Sequence, residues 1–152
     1  MLAAMSEAVL HGPGEGERHV PAPGGEILIK ATGDDTGGTL FMSQTTIPPG
    51  FPGPPPHRHK HLHDMFYVLD GVLTVRTGEQ THDCPAGAFV CAPPGVVHTF
   101  SNMSDAPVTF LNFNTPSGFE NYMRDLAAAA QEGPLTPEVM GRIASRYDFE
   151  AA

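Results

Sequence analysis

The sequence predicts an antiparallel all-β domain, a barrel or a sandwich, followed by two short helices. Seven runs rich in β-branched and aromatic residues lie between residues 26 and 113. The 17 glycines and 16 prolines interrupt the chain and disfavour long helices before residue 116. After Pro116 the pattern changes to one that is typical of helices.

The strand-like runs are separated by turn-type sequences, as in a barrel or sandwich. In chain order they are EILIK at 26–30, TLFMSQTTI at 39–47, MFYVL at 65–69, VLTVRT at 72–77, AFVCA at 88–92, VVHTF at 96–100 and VTFLNF at 108–113. The sequence VLDGVLTV favours a tight hairpin at Asp70 and Gly71, because glycine accepts a positive φ without steric cost.

Two helix starts follow Pro116. Ser117 and Glu120 fit a capping box ahead of the run FENYMRDLAAAA. Thr136, with Pro137 at the first helical position, gives a second start before EVMGRIASRY. We therefore expect an N-terminal arm at 1–24, a β-barrel at 25–115 and C-terminal helices packed on it at 116–152.

Composition narrows the classes of partner. Eight Lys and Arg against 17 Asp and Glu give a formal net charge of −9, which disfavours binding to nucleic acids and anionic membranes.

Cys84 and Cys91 suggest neither a disulfide framework nor a CxxC site. The first twenty residues lack the basic region of a secretory leader, and no run approaches the ~18 apolar residues of a membrane span. We expect a cytoplasmic protein.

Residues 55–64 read PPHRHKHLHD, a cluster of histidines that ends in an aspartate. The histidines stand at alternate positions, His57, His59, His61 and His63, and Asp64 follows. On an uninterrupted strand the four imidazoles would share one face and Asp64 would point away. A solvated loop and a metal site both explain this composition, because neutral imidazole is a common ligand of transition metals.

Two spaced motifs favour the metal site. The first is H-x-H-x4-D-x6-G, from His57 and His59 through Asp64 to Gly71. The second is G-x5-P-x-G-x2-H-x3-N, and its residues are Gly87, Pro93, Gly95, His98 and Asn102. Together they resemble the two motifs of the cupin superfamily, with Asp64 where the family has Glu. A glycine also precedes the first family motif, and Gly50 suits its spacing better than Gly53.

Further segments resemble the single-domain cupins commonly labelled quercetin 2,3-dioxygenase-like. They are residues 36–59, 66–78 and 116–126, and the similarity covers about residues 25–148. The resemblance implies a double-stranded β-helix, the cupin jelly-roll barrel, with two short C-terminal α-helices. It also implies a homodimer formed through N-terminal strands.

The resemblance implies a metal site of three imidazoles and one carboxylate. Its ligands would be His57, His59, Asp64 and His98, with His61 and His63 as turn residues. A turn ahead of Asp64 would reset the strand phase, that is, shift the alternation of inward and outward side chains by one position. The Asp64 side chain would then point inward. Asp is shorter than Glu by ~1.5 Å, whereas metal–oxygen distances tolerate only ~0.2 Å. Asp64 is therefore either a direct ligand on a closer strand or an outer carboxylate that orients a ligand or a water.

Such a ligand set accepts one divalent ion of Fe, Ni, Mn, Co or Zn. In quercetinase-like cupins the carboxylate is thought to take the proton of the flavonol hydroxyl, and the metal binds the resulting anion before dioxygen adds. By this resemblance Asp64 is the candidate base.

The candidate substrate contacts are Phe66, Phe100 and Tyr122. Phe66 and Phe100 stand near ligands on their strands, and Tyr122 lies in the first C-terminal helix.

Three functions stay open at this point. We favour a metal-dependent dioxygenase that acts on a flavonol-like or other enolic or aromatic small molecule. The alternatives are an oxygen-independent cyclase or isomerase of polyketide or other small-molecule biosynthesis, and a non-catalytic cupin that binds a metal or a small molecule. The expected partners are a small-molecule substrate and dioxygen, with neither nucleic acid nor membrane.

Overall fold

The computed structural model of the protein describes residues 7–152. Within this range the strands are β1 (Glu17–His19), β2 (Glu26–Ala31), β3 (Phe41–Ile47), β4 (His57–Arg58), β5 (His63–Asp70), β6 (Val72–Thr77), β7 (Gln80–Pro85), β8 (Phe89–Ala92), β9 (His98–Ser101), β10 (Val108–Thr115) and β11 (Glu150–Ala151). The helices are α1 (Gly33–Thr36), α2 (Glu120–Ala130) and α3 (Pro137–Ala144). Over the same residues, none of the helices has the length and hydropathy needed to cross a membrane.

The strands form two antiparallel sheets that enclose a hydrophobic core. The first sheet has the order β1-β2-β3-β10-β5-β8, and the second has the order β11-β4-β9-β6-β7. Along β3 and β10 buried residues alternate with half-buried ones, as expected when one face of a sheet lies on the core. The predicted jelly-roll barrel with two C-terminal helices is confirmed, and the structure adds the short helix α1.

Two clusters of buried apolar side chains hold these layers together. The cluster between the sheets consists of Ile47, Phe66, Val68, Leu73, Val75, Cys84, Val108 and Phe110. The cluster between the barrel and the helices consists of Ile27, Ile29, Phe41, Leu62, Phe119, Tyr122, Leu126, Met140, Ile143 and Ala144. The second cluster attaches α2 and α3 to the barrel, because it joins their side chains to those of β2 and β3. Full burial of each large apolar side chain contributes ~1.5–3 kcal/mol to the stability of this contact.

Helix α3 starts as the sequence predicts. Thr136 is extended, and its Oγ1 accepts a hydrogen bond of 3.2 Å from the Val139 amide. Pro137 occupies the first turn, where its missing N–H has no intrahelical partner to lose. This start is local in sequence, which is why local reasoning finds it.

The capping box predicted for Ser117 and Glu120 is wrong. Helix α2 begins at Glu120 after Phe119, which makes no side-chain cap. One oxygen of Glu120 instead accepts a hydrogen bond of 2.7 Å from the Gly33 amide at the start of α1. The other oxygen accepts from the Gly118 amide. Glu120 therefore stabilises a helix 87 residues away.

The tight hairpin predicted at Asp70 and Gly71 is also wrong. Gly71 has the expected positive φ of +81°, but β5 pairs with β10 and β8, whereas β6 pairs with β7 and β9. The chain crosses here from one sheet to the other. A Cβ on Gly71 would lie 2.7 Å from the Pro107 carbonyl oxygen, so glycine is needed for this close crossing.

Both ends of the described chain return to the sheets. Residues 17–19, within the predicted N-terminal arm, form β1 and pair with β2. Arg124 of α2 holds this strand through two contacts to the Glu17 carboxylate, at 2.9 and 3.0 Å. At the other end, β11 pairs with β4. The division of the chain near residues 24 and 115 stays a prediction.

The glycine required ahead of β4 is Gly53, although motif spacing favours Gly50. Both have positive φ values, +72° at Gly50 and +76° at Gly53. A Cβ on Gly53 would lie 1.7 Å from the Phe100 carbonyl oxygen, while a Cβ on Gly50 would meet no atom within 4 Å. Packing against β9 therefore excludes a side chain at Gly53 but not at Gly50.

These two glycines give a matched test of that packing. Gly50→Ala should lower the free energy of unfolding by the ~1–2 kcal/mol of a strained positive φ. Gly53→Ala should lower it by more than ~3 kcal/mol, because the backbone clash adds to the same strain. Urea unfolding followed by circular dichroism measures both, and equal losses in the two variants would contradict the packing argument.

Candidate metal centre

Four buried side chains meet between the two sheets. His57 lies in β4 and His98 in β9 of one sheet, Asp64 lies in β5 of the other, and His59 follows β4. Their exposed fractions are 4% for His57, 2% for His59, 6% for Asp64 and 1% for His98. One ligand atom from each residue lies within 4.8 Å of those of the other three. The structure thus brings together the four residues that the motif resemblance implies.

The strand phase is reset between His59 and Asp64. Residues 60–62 form a bend, and β5 then begins at His63. His61 and His63 are exposed outside the cluster, whereas Asp64 points inward. The Gly95 amide donates a hydrogen bond of 2.8 Å to the His59 carbonyl oxygen, which ties this bend to the loop that precedes β9.

Asn102, the last residue of the second motif, fixes the far end of β9. It is fully buried, and its Nδ2 donates to the carbonyl oxygens of Pro48 at 3.0 Å and Ala106 at 2.8 Å. Its Oδ1 accepts from the Ser104 amide and hydroxyl, at 3.0 and 2.6 Å. Asn102 is therefore a scaffold residue that holds the turn after the strand of His98.

Each clustered imidazole is oriented by a backbone carbonyl at its second nitrogen. The Nδ1 contacts are His57 to Pro55 at 2.9 Å, His98 to Val96 at 3.0 Å, and His59 to Asp148. A carbonyl oxygen can only accept, so in each ring Nδ1 carries the proton of the neutral form and Nε2 presents its lone pair. Ligand histidines in metalloproteins are oriented in this way.

One buried nitrogen tests whether this set fits a metal ion. His59 Nε2 has no hydrogen-bond partner among the described residues. Asp64 Oδ2 lies 3.4 Å from it without hydrogen-bonding geometry, and 2.9 Å from His98 Nε2. An unpaired buried polar atom costs ~1–3 kcal/mol, and a shared cation would remove that cost. Three imidazole nitrogens and one carboxylate oxygen form a donor set that fits a divalent transition metal.

The Asp64 carboxylate is held with one oxygen free for the cluster. Its Oδ1 accepts hydrogen bonds of 2.8 Å from Nδ2 of both Asn112 and Asn114, while Oδ2 faces His59 and His98. Burial favours a higher pKa for Asp64, but the adjacent His59 and His98 imidazoles hold the pKa well below the usual range of a carboxyl group. Asp64 is therefore anionic and offers Oδ2.

The electrostatic environments of two imidazoles differ. Burial and the neighbouring His98 lower the pKa of His57 to about 3, which keeps His57 neutral. Burial also lowers the pKa of His59, but the nearby Asp64 carboxylate outweighs this and raises the pKa above its usual value. A proton and a cation therefore compete for the space between His59 and Asp64, and metal binding would release that proton.

An apolar cavity opens beside His57 and Asp64. Its aromatic wall is formed by Phe51, Phe100, Phe110, Phe119, Tyr122 and Phe149. Asp64 is the one carboxylate in the lining, and neither lysine nor arginine contributes to it within residues 7–152. The cavity thus combines an apolar body with a polar end at the cluster, an arrangement that is typical of small-molecule sites.

Comparison with known proteins shows which family the central segment of the chain matches. The family model Cupin_2, the cupin domain, matches residues 43–114, a segment that contains all four clustered residues. This segment of the chain is a cupin domain. A comparison with curated protein sequences gave no match.

Solved structures share the cupin fold of this chain. KdgF from Halomonas sp. is 16% identical with a TM-score of 0.63, over 76% of this chain and 98% of that one. An RmlC-like cupin from Shewanella frigidimarina is 17% identical with a TM-score of 0.62, over 76% and 96%. A sugar phosphate isomerase of the cupin superfamily from Silicibacter pomeroyi is 25% identical with a TM-score of 0.56, over 65% and 70%.

The predicted substrate contacts of this cupin fall in two places. Phe100 and Tyr122 line the cavity, where they can reach a bound molecule. Phe66 is not in the lining; it is 1% exposed and packs against His98, Phe100 and Phe110. Strand parity points Phe66 inward correctly, but its depth places it in the barrel core, which argues against the predicted substrate contact.

Four residues around the cluster were not predicted from the sequence. Asn112 and Asn114 stand at alternate positions of β10, so both point to the same face as the neighbouring Asp64. Two amides at that spacing, in a strand whose other residues are apolar or threonine, are the signal that could have found them. Asp148 and Phe149 contact His59 and His57 from the C-terminal segment, and no spacing rule links residues 89 positions apart.

Removing one amide donor from Asp64 tests its role in the cluster. Asn112→Ala should weaken the binding of Co²⁺ or Zn²⁺ by about tenfold or more, because partners of ligands typically contribute ~10–100-fold. Isothermal titration measures the affinity. Thr109→Ala is the matched control on β10, since its hydroxyl bonds Thr46 and not the cluster. An Asn112→Ala protein that binds as tightly as the control would contradict this role.

Proposed function

We propose that this cupin is a metal-dependent dioxygenase that acts on a flat aromatic or enolic small molecule, with a flavonol as the first test substrate. The observation that carries the proposal is the aromatic-lined cavity that opens directly onto His57 and Asp64. An apolar body beside polar, metal-ligating groups suits a ring system that bears a hydroxyl group next to a carbonyl.

The cluster can hold one divalent metal ion. His57, His59 and His98 would bind through Nε2, and Asp64 would bind through Oδ2. Iron, nickel, manganese, cobalt and zinc all accept such donors. When bound, the ion supplies Lewis-acid activation of a substrate oxygen and open positions for substrate and dioxygen.

The protein's own groups suggest how a substrate is bound and deprotonated. Asp64 is the proposed proton acceptor, because it lines the cavity as a carboxylate and the asparagine amides stabilise its charged form. Burial raises the pKa of Tyr122, and the Asp64 charge raises it further, so its hydroxyl stays protonated and can donate to a substrate oxygen. Phe100 would contact the ring of the substrate.

The cavity lining favours an apolar substrate over an anionic one. Phosphates and carboxylates are usually bound by Arg or Lys, and neither lines the cavity within the described chain. A net charge of −9 also opposes anions. A sugar phosphate, the substrate class named for the structure from Silicibacter pomeroyi, therefore fits this site less well.

The homodimer, dioxygen as co-substrate and the cytoplasmic location stay predictions.

Oxygen uptake with quercetin tests the proposal. The protein should first be stripped of metal with a chelator and then loaded with one divalent ion at a time. We expect loss of flavonol absorbance together with dioxygen consumption for at least one ion, and background rates for the stripped protein. His98→Ala should reduce the rate to background, because it removes a ligand nitrogen. His63→Ala is the matched control, since His63 is exposed outside the cluster.

The other outcomes separate the competing functions. Conversion of the substrate without oxygen would overturn the dioxygenase and support a cyclase or isomerase, the second candidate that the same cavity accommodates. Tight binding of metal and flavonol without turnover in either atmosphere would support a binding cupin. Failure of the native protein to bind any of the ions would overturn the metal-dependent site.

A further inference from the structure

We propose that the C-terminal strap, residues 148–151, is a positioning element that holds the His57 and His59 imidazoles for metal binding and closes one wall of the cavity. The proposal rests on the metal site of the proposed function and extends it to a segment 50 residues beyond His98. It assigns positioning roles to Asp148 and Phe149.

Asp148 acts on His59 in two ways. Its backbone carbonyl accepts the hydrogen bond from His59 Nδ1, which sets the ring so that Nε2 faces the cluster. Its carboxylate accepts from the amides of Lys60 at 2.6 Å, His61 at 2.9 Å and Leu62 at 3.1 Å. One residue therefore fixes both the ring of His59 and the bend that resets the strand phase ahead of Asp64.

Phe149 acts on His57. The two rings are stacked, with centroids 4.6 Å apart and an angle of 21° between their planes. Phe149 also lines the cavity, so the same ring supports a clustered imidazole and faces the space for substrate. The strap thereby covers one face of the His57 imidazole.

The strap is anchored along the strand that carries His57. In the pairing of β11 with β4, Ala151 lies opposite His57 and Glu150 lies opposite Arg58. The Glu150 carboxylate forms ion pairs with Arg58 at 3.0 Å and Lys60 at 3.1 Å. Exposed ion pairs are individually weak, but together with the strand pairing they direct the strap onto residues 57–62.

A purely structural role of the strap makes a different prediction from a positioning role. Loss of a structural contact lowers stability and leaves the arrangement of bound ligands unchanged. Loss of a positioning contact also changes metal affinity and the ligand field of the bound ion. The visible spectrum of bound Co²⁺ reports the ligand field, so it separates the two roles without any measurement of activity.

The test is Co²⁺ binding by chelator competition, with the spectrum of the bound ion, for the native protein and three variants. Asp148→Ala and Phe149→Ala should weaken the affinity by about ten- to a hundredfold and alter the spectrum. Ile143→Ala is the matched control. It removes a buried side chain of α3 from the cluster between the barrel and the helices. The melting temperature should fall, while the Co²⁺ affinity and the spectrum of the bound ion stay unchanged.

Each outcome has a distinct meaning. If the native protein binds no Co²⁺, the metal site of the proposed function is overturned. If the native protein binds Co²⁺ and both strap variants bind it as tightly with the same spectrum, the strap proposal alone is overturned. Circular dichroism checks folding, and Asp148→Asn and Phe149→Leu serve the same comparison if the alanine variants do not fold.

Discussion

The hydrogen bonds from imidazole Nδ1 to backbone carbonyls are the interactions on which the candidate site depends. They decide where the proton of each neutral ring lies, and so which nitrogen of His57, His59 and His98 is free. Without them the three rings could rotate or change tautomer, and the cluster would no longer present three lone pairs to one point. The acceptors come from the loops before β4 and β9 and from the C-terminal strap, so the site is built largely by backbone geometry.

Local sequence signals predicted most elements of this fold but not all of their partners. The seven predicted strands and the start of α3 at Thr136 depend on nearby residues, and they were predicted correctly. The short elements β1, β4, β11 and α1, and the strand β7, were not predicted. The hairpin at Gly71 was not, because the same turn chemistry serves a hairpin and a crossing between sheets. Glu120 likewise has the right spacing for a local cap, yet its partner Gly33 is brought to it by the tertiary structure. Partner choice depends on long-range packing that no short window contains.

The clustered residues were predictable because the family motifs record their spacing, whereas the surrounding residues were not. His57, His59, Asp64 and His98 meet as the motif resemblance implies, although what they bind stays a proposal. Asn112, Asn114 and the strap lie outside both motifs and reach the cluster only through strand pairing and chain return. Phe66 shows a further limit, since the period of a strand gives the face of a side chain but not its depth in the barrel.

The origin of the clustered residues in both sheets links chemistry to mechanics. His57 and His98 belong to one layer and Asp64 belongs to the other, so the layers cannot slide against each other without separating imidazole from carboxylate. An ion held there would act as a cross-link between the layers. Core substitutions that shift one layer by even a fraction of an ångström should thus be tolerated far from this junction and selected against beside it.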